Sequence, residues 1–299
     1  MSQSNNLHVP VLLGEVLTVL NPQRGDRYLD LTAGYGGHAG EILERTASAA
    51  SSVLVDRDTF ALDHLTALQT AGSRLIHDDY LHAATTLFEA GETFDLILMD
   101  IGVSSPQLDL SERGFSFMHD GPLDMRMDQT AGNSAVDLLK QLTEDNLMQI
   151  LLKYGEESRS NARKIAHAIK FKRPTTTNGL ATVVTMALGG GRGKIHPATK
   201  TFQALRLAVN DELGQLERTL PFLPGLLNPG GRVAVISFHS LEDRIVKNFF
   251  KEQANAGFEA TIRLLTNKPI EGNYRDANLP FYDPNPRARS AKLRAAVKI

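Results

Sequence analysis

Four short apolar runs in the first hundred residues are separated by amphipathic stretches, and that rhythm narrows the fold more than any other feature. The runs are Arg27–Leu31, Ser52–Asp56, Arg74–His77 and Phe94–Asp100. Between them, helices are expected from the glycines at 34–40 to about Arg45, over Thr59–Gln69 and over Leu81–Ala90. Strands alternating with helices give a parallel sheet with right-handed crossovers. The rhythm stops at Ser104. From there to about Leu220 the pattern predicts helices at Ala135–Leu142, Glu144–Tyr154, Arg159–Phe171, Leu180–Leu188 and Thr201–Leu220. In the last, Leu205, Val209, Leu213, Leu216 and Leu220 fall on one helix face. Gly189–Gly193 reads as a flexible break and not as a phosphate loop, because Leu188 stands where the first glycine is needed and Ile195 replaces the Ser/Thr. Alternation resumes with a strand at Gly231–Ser237, a capping box Ser240-Leu-Glu-Asp243 opening a helix, and closing strands at Phe258–Leu265 and Ala291–Val297. The expected architecture is one open α/β sheet built from residues 1–104 and 217–299, with an all-helical insertion over 105–216.

Composition removes several classes of chemistry. The chain has no cysteine, which excludes disulfides, cysteine zinc sites, iron–sulfur clusters and a thiol nucleophile. That fits a reducing compartment, and the polar, uncharged start Met1–Asn6 lacks the order of a secretory signal, so a cytoplasmic protein is expected. No run of apolar residues is long enough to span a membrane. The net charge of −2 conceals strong segregation. Residues 158–210 carry ten basic and no acidic side chains, and residues 285–299 carry five and none. Lys and Arg concentrated in this way gain by displacing counterions from phosphates, which points to a polyanionic partner; a solvated helix face is the plainer reading.

In an open parallel sheet, ligands bind beyond the carboxyl ends of the strands. Three features fall there: Asp30-Leu-Thr-Ala-Gly34-Tyr-Gly36-Gly37-His38, Asp56 and Asp100. The glycines allow tight turning and close backbone approach, and the helix start offers free N–H groups. An acid at Asp56 can accept both hydroxyls of a ribose. Gly34-Tyr-Gly36-Gly37-His38-Ala39 also fits the dinucleotide pattern, with Asp56 lying 22 residues beyond Gly34, so an NAD-dependent oxidoreductase stays open. Asp30 and the anionic strand ends favour a cationic cofactor such as S-adenosylmethionine over a diphosphate. The plainest alternative is a tight turn beside a solvated acid.

After the fourth strand comes Asp100-Ile-Gly-Val-Ser104-Ser105-Pro106-Gln107-Leu-Asp109. It is similar to the Asp/Ser-Pro-Pro-aromatic loop of amino-methyltransferases, without the second proline and the aromatic. The exocyclic amine of cytosine is a poor nucleophile because its lone pair is delocalised into the ring. Acceptors that hold its N–H groups localise that pair, and transfer becomes an in-line displacement governed by positioning. A serine hydrolase fails because Gly102-Val-Ser104-Ser-Pro106 lacks the second glycine of a nucleophile elbow. The histidines show no His-x-x-x-His pair, and no metal is expected; Asp124-Met-Arg-Met-Asp128 reads as an acidic turn carrying an Arg pair.

With these residues in view, the chain resembles the RsmH (MraW) family of ribosomal RNA cytosine-N4 methyltransferases. The matching blocks are His8-Val-Pro-Val-Leu-Leu, Gly34-Tyr-Gly-Gly-His38, Asp100–Asp109, Arg113-Gly-Phe-Ser-Phe117 and Gly121–Asp128, then Tyr154-Gly-Glu-Glu157, His196–Arg206, Ile236–Val246 and Asn285-Pro-Arg-Ala-Arg-Ser290. The resemblance implies a class I (Rossmann-like) S-adenosylmethionine-dependent methyltransferase sheet whose helical insertion recognises substrate. It also implies methylation of the N4 amine of a decoding-region cytidine in 16S rRNA of the small (30S) ribosomal subunit. A DNA cytosine-N4 methyltransferase is the nearest alternative in chemistry, and a homodimer is left open. Carried over by position, cofactor contacts fall on Gly36, Gly37, His38, Asp56, Tyr80, Asp100 and Gln107. Ser104, Ser105 and Pro106, with Asp100, form the loop facing the target amine. Phe115, Phe117 and Phe238 are candidates for stacking on an extruded base, or core residues. Tyr80 lies on adenine or in the core, and His239 touches substrate or caps a helix. Arg163, Lys164, Lys170, Lys172, Arg173, Arg287, Arg289, Lys292 and Arg294 are expected to track phosphate. Residues 253–283 and Ser158-Arg-Ser-Asn161 depart from the family's usual runs.

Overall fold

The computed structural model describes residues 10–190, 196–272 and 286–299, apart from the side chains of Ser105, Pro286 and Arg287. The chain divides into two units, Met1–Gly102 with Leu213–Ile299, and Val103–Glu212. The boundaries drawn above at 104/105 and 216/217 fall instead at Gly102/Val103 and Glu212/Leu213.

The first unit opens with α1 (Leu13–Leu20), a helix the alternation did not announce, and runs through β1 (Tyr28–Asp30), α2 (Gly37–Thr46) and β2 (Val53–Asp56). It continues with α3 (Thr59–His64), α4 (Thr66–Thr70), β3 (Arg74–His77), α5 (Tyr80–Glu89) and β4 (Phe94–Asp100). The single helix expected over Thr59–Gln69 is broken at Leu65, whose ψ of 0° leaves the helical range. The second unit holds α6 (Ser105–Asp109), α7 (Ala135–Gln141), α8 (Glu144–Gly155), α9 (Arg159–Lys172), α10 (Thr177–Ala187) and α11 (Thr199–Val209). The chain re-enters the first unit through α12 (Glu212–Thr219) and α13 (Leu223–Leu226). It then forms β5 (Leu227–Ser237), α14 (Ser240–Ala254), β6 (Ile262–Leu264), β7 (Ile270–Glu271) and β8 (Lys292–Lys298).

The sheet order is β3-β2-β1-β4-β5-β8-β6, with β7 also paired to β8. β1 to β5 run parallel, and β8 is antiparallel to β5, β6 and β7. Strand order reverses between β1 and β4, so the crevice of a doubly wound sheet lies beyond Asp30 and Asp100. Both faces are buried. Leu29, Val53, Val55, Ile97, Met99, Val233 and Val235 pack on one side. Tyr28, Leu54, Leu96, Leu98, Ala234 and Ile236 pack on the other. That period-2 division of nearly continuous apolar strands is what two covered faces require. Each fully buried Leu or Val contributes about 1.5–3 kcal/mol, so the strand ends are held in a stiff frame.

The helix expected over Thr201–Leu220 is two helices. Asn210 ends α11, and Asp211 takes a left-handed φ of 47°. The Asn210 side-chain amide donates to the carbonyls of Met125 (2.8 Å) and Arg206 (2.9 Å), and its carbonyl accepts the Met127 N–H (2.9 Å). Leu205 consequently joins the core of the second unit, while Leu216 and Leu220 join the sheet. The expected strand Phe258–Leu265 shrinks to β6; Gly257–Glu259 is a 3₁₀ turn with Phe258 fully exposed. The capping box of α14 is His239/Glu242, one residue before the expected Ser240/Asp243. Asp243 is occupied elsewhere, by Arg294 of β8 at 2.6 Å.

Candidate functional site

β1 delivers Asp30 to the sheet end almost wholly buried, at 1% exposure. Its Oδ2 accepts the Tyr28 hydroxyl (2.6 Å), and its Oδ1 accepts the Thr32 N–H (3.1 Å). The chain then turns through Gly34 and Gly36, with φ of 52° and 78°, before α2 starts at Gly37. At Gly36 a Cβ would stand 2.9 Å from Leu65 Cδ2, so both the backbone angle and the space demand glycine. At Gly37 a Cβ would press on the Pro10 ring at 3.2 Å. Asp56, at the end of β2, fastens this loop: Oδ2 accepts the Gly34 N–H (2.7 Å) and Oδ1 the Asp58 N–H (2.8 Å). Each oxygen keeps a further lone pair for a hydroxyl donor.

Asp100 ends β4 in the neighbouring position. Its backbone N–H donates to the Thr32 hydroxyl (2.6 Å), tying the two strand ends together. Its Oδ2 lies 3.7 Å from His38 Nδ1, too far for a hydrogen bond. Its buried Oδ1 has no hydrogen-bond partner among the described residues. His38 is itself buried, with Nε2 2.9 Å from the Val11 carbonyl.

Concentrating carboxyl groups in a buried place raises their pKa. Asp100 is pushed up to about 8, by burial first and then by the charges of Asp30 and Glu242. Asp30 is raised to about 6 by burial, against the opposing hydrogen bonds from Tyr28 and Thr32. Asp56 is raised by burial, with the amides of Asp58 and Gly34 pulling the other way. An orphaned buried oxygen among acids that resist ionisation fits a cationic ligand with N–H or O–H donors. A diphosphate would add repulsion at the same place.

The remaining expected residues divide. Tyr80, the first residue of α5, is buried in the core with Val53, Val55 and Ala83. Ser104 and Gln107 form the capping box of α6 in the second unit: Ser104 Oγ accepts the Gln107 N–H (3.4 Å), and Gln107 Oε1 accepts the Ser104 N–H (3.0 Å). Pro106 occupies the first turn of that helix, where no N–H is needed. The side chain of Ser105 lies outside the described residues. Phe115 is buried, and Phe117 packs edge-on against Phe202 with ring centroids 4.9 Å apart. Phe238, half-buried like Phe117, packs against the core of the first unit, and its Cδ2 would be 3.2 Å from a Cβ on Gly102, two residues past Asp100. His239 caps α14 through Nδ1, which accepts the Glu242 N–H (3.4 Å). Asp124 and Arg126 form a forked ion pair at 2.8 Å.

Sequence reasoning passed over Thr32, Tyr28 and Glu242. Glu242 is buried at 1% exposure, and its Oε2 accepts the N–H groups of Phe238 (2.8 Å) and His239 (3.3 Å), fixing the loop after β5. Its place three residues after His239 was the available signal.

Among the basic groups, Arg163, Lys164, Lys172, Arg173 and Arg289 are exposed. Lys170 is committed, donating to the carbonyls of Leu139 (2.9 Å) and Leu142 (2.7 Å) behind α7. In β8, Arg294 forms a buried fork with Asp243 (2.6 and 3.2 Å), and Lys292 lies 3.9 Å from Asp243 and 3.8 Å from Glu271. Lys170 and Arg294 are held by the fold, which corrects the expectation that they track phosphate, whereas Lys292 stays one-third exposed. The side chain of Arg287 lies outside the described residues.

Comparison with known proteins meets this geometry with a consistent set of relatives. Residues 5–299 match the MraW methylase family. "Ribosomal RNA small subunit methyltransferase H" of Nitratidesulfovibrio vulgaris (strain DP4) is 46% identical, over 98% of this chain and 95% of that protein. The proteins of the same name from Acidobacterium capsulatum and Rickettsia massiliae are 44% and 43% identical, over 97% and 98% of this chain and 98% of each relative. A match over nearly the whole length, at this identity, makes the chain a member of the MraW methylase family.

Proposed function

We propose that the chain methylates the N4 amine of a decoding-region cytidine in 16S rRNA of the small ribosomal subunit, in the cytoplasm, with S-adenosylmethionine as donor. The observation that carries the donor site is the group of buried carboxyls at the switch point, with Asp100 Oδ1 unsatisfied beside a glycine turn. S-adenosylmethionine supplies an electrophilic methyl on a positively charged sulfur, so the protein needs no strong base. Asp56 receives the ribose hydroxyls while keeping Gly34 in place. Asp30 and Asp100 stabilise the positive charge of the donor's amino-acid end and sulfonium. Gly36 and Gly37 let the turn close against Leu65 and Pro10 and so hold its backbone in place for the donor, and His38 stands beside the Asp100 carboxyl. Tyr80 is buried in the core of the first unit, and Gln107 is the cap partner of Ser104.

Ser104, Ser105 and Pro106 serve the target amine as a stiff turn of hydrogen-bond acceptors, and Asp100 Oδ1 takes an N–H of the amine as its lone pair is aimed at the methyl. The nitrogen–carbon bond would form as the carbon–sulfur bond breaks, the neutral thioether S-adenosylhomocysteine would leave, and the proton of the methylated amine would pass to solvent. Of the three candidate aromatics, Phe238 suits stacking on the cytosine ring best, because it lies against Gly102, two residues past Asp100.

The test is transfer of a labelled methyl group to small subunits lacking the modification, with DNA as competitor. Label should enter 16S rRNA and be indifferent to DNA. Label in DNA, or none in RNA, overturns the reading. Asp56→Ala should lose donor binding by calorimetry.

A further inference from the structure

Helix α9 turns one face to solvent that its core does not use. Ala162, Ile165, Ala166 and Ile169 are buried. Arg159, Arg163, Lys164, His167, Phe171 and Lys172 are exposed. Arg159, Arg163, His167 and Phe171 follow at four-residue steps, so they line one stripe, each step rising about 6 Å. The stripe ends on an aromatic ring at 74% exposure. A single exposed apolar side chain is ordinary by itself. The setting of this one is not. Lys172 Nζ lies 5.3 Å from the ring centroid, and Arg173 follows, exposed, at the helix end with φ of 50°. Residues 158–210 contain no carboxylate side chain. Among the described residues, Glu144 of α8 approaches the stripe, 3.2 Å from His167 Nδ1, and an exposed pair of this kind contributes little.

Cations beside an exposed ring match a strand whose phosphates are anionic and whose bases each carry a π face. A protein partner would call for further apolar surface around Phe171, and its stripe neighbours are Arg and His. We propose that this stripe of α9 docks a single-stranded stretch of RNA, with Arg159, Arg163, Lys172 and Arg173 on phosphates and the Phe171 ring stacked on one base. The proposal rests on the rRNA reading above and deepens it by naming the edge of the second unit that holds the strand.

The full-length protein and its variants would be titrated with a single-stranded oligoribonucleotide over a range of salt concentrations, read by fluorescence anisotropy. Phe171→Ala should weaken binding roughly 5- to 150-fold, with the salt slope unchanged. Arg163→Gln and Lys172→Gln should each lower the slope by about 0.7. Phe171→Tyr should restore the affinity, and a wild-type circular dichroism spectrum for each variant establishes that the fold is intact. If wild type binds and Phe171→Ala binds equally well, the stacking edge is wrong while the rRNA reading stands. A loss on ribosomal particles but not on the oligoribonucleotide would mean a protein occupant and also overturn the proposal. A wild-type chain that neither binds nor methylates rRNA removes the underlying reading itself.

Discussion

A carboxyl group buried at the end of a strand can lower its free energy by taking a proton or by meeting a cation, and Asp100 is placed to do either. Its ordinary value of 3.8 rises to about 8 in the fold. Between those values the folded chain holds a proton that the unfolded chain has released. Stability without donor should therefore fall as pH rises from about 4 to about 8. Donor affinity should rise between pH 6 and 8, because the cation replaces the proton. Calorimetry in two buffers of different ionisation enthalpy should register proton release on binding; pH-independent affinity without release would contradict this. Asp100→Asn should flatten both dependences. The strand-end acids and the glycines were legible in the sequence because strand and turn chemistry fixes their places. Thr32 was not, because its role arises from pairing across the sheet, which has no local signature, and Glu242 was signalled only by its place three residues after His239.

At the level of elements, apolar period gave the strands well and helix ends poorly. The stripe Leu205–Leu220 is regular, yet the chain breaks it at Asn210 because three hydrogen bonds of one side chain outweigh one more helical turn. The same break divides the leucines between two cores. Asn210→Ala should cost about 1–3 kcal/mol in chemical denaturation, since it leaves the Met127 N–H and the Met125 carbonyl without their partner. An unchanged midpoint would show that the break is fixed by other means. Arg294 makes a parallel case in β8. Counted as charge it looked like a phosphate contact, whereas burial turns it into the partner of Asp243. Arg294→Ala should destabilise by about 3–5 kcal/mol and leave the salt slope of RNA binding unaltered.

For the whole molecule, charge is segregated by segment and not by unit. Carboxyl groups gather at the sheet end of the first unit, and the second unit holds the acid-free stretch 158–210 together with the acid-rich stretch 103–157. A cationic donor suits the sheet end and a polyanionic substrate the acid-free stretch. The described residues contain no helix long and apolar enough to cross a membrane. All of this converges on one chemical event, the appearance of a methyl group on an exocyclic amine of rRNA. The most direct measurement is a mass-spectrometric map of 16S rRNA from small subunits of cells lacking the protein, before and after incubation with purified chain and S-adenosylmethionine. The account predicts N4-methylcytidine at a single decoding-region position only after incubation, and none with Asp56→Ala. An rRNA map unchanged by the active preparation, or methyl groups on another atom, would contradict it.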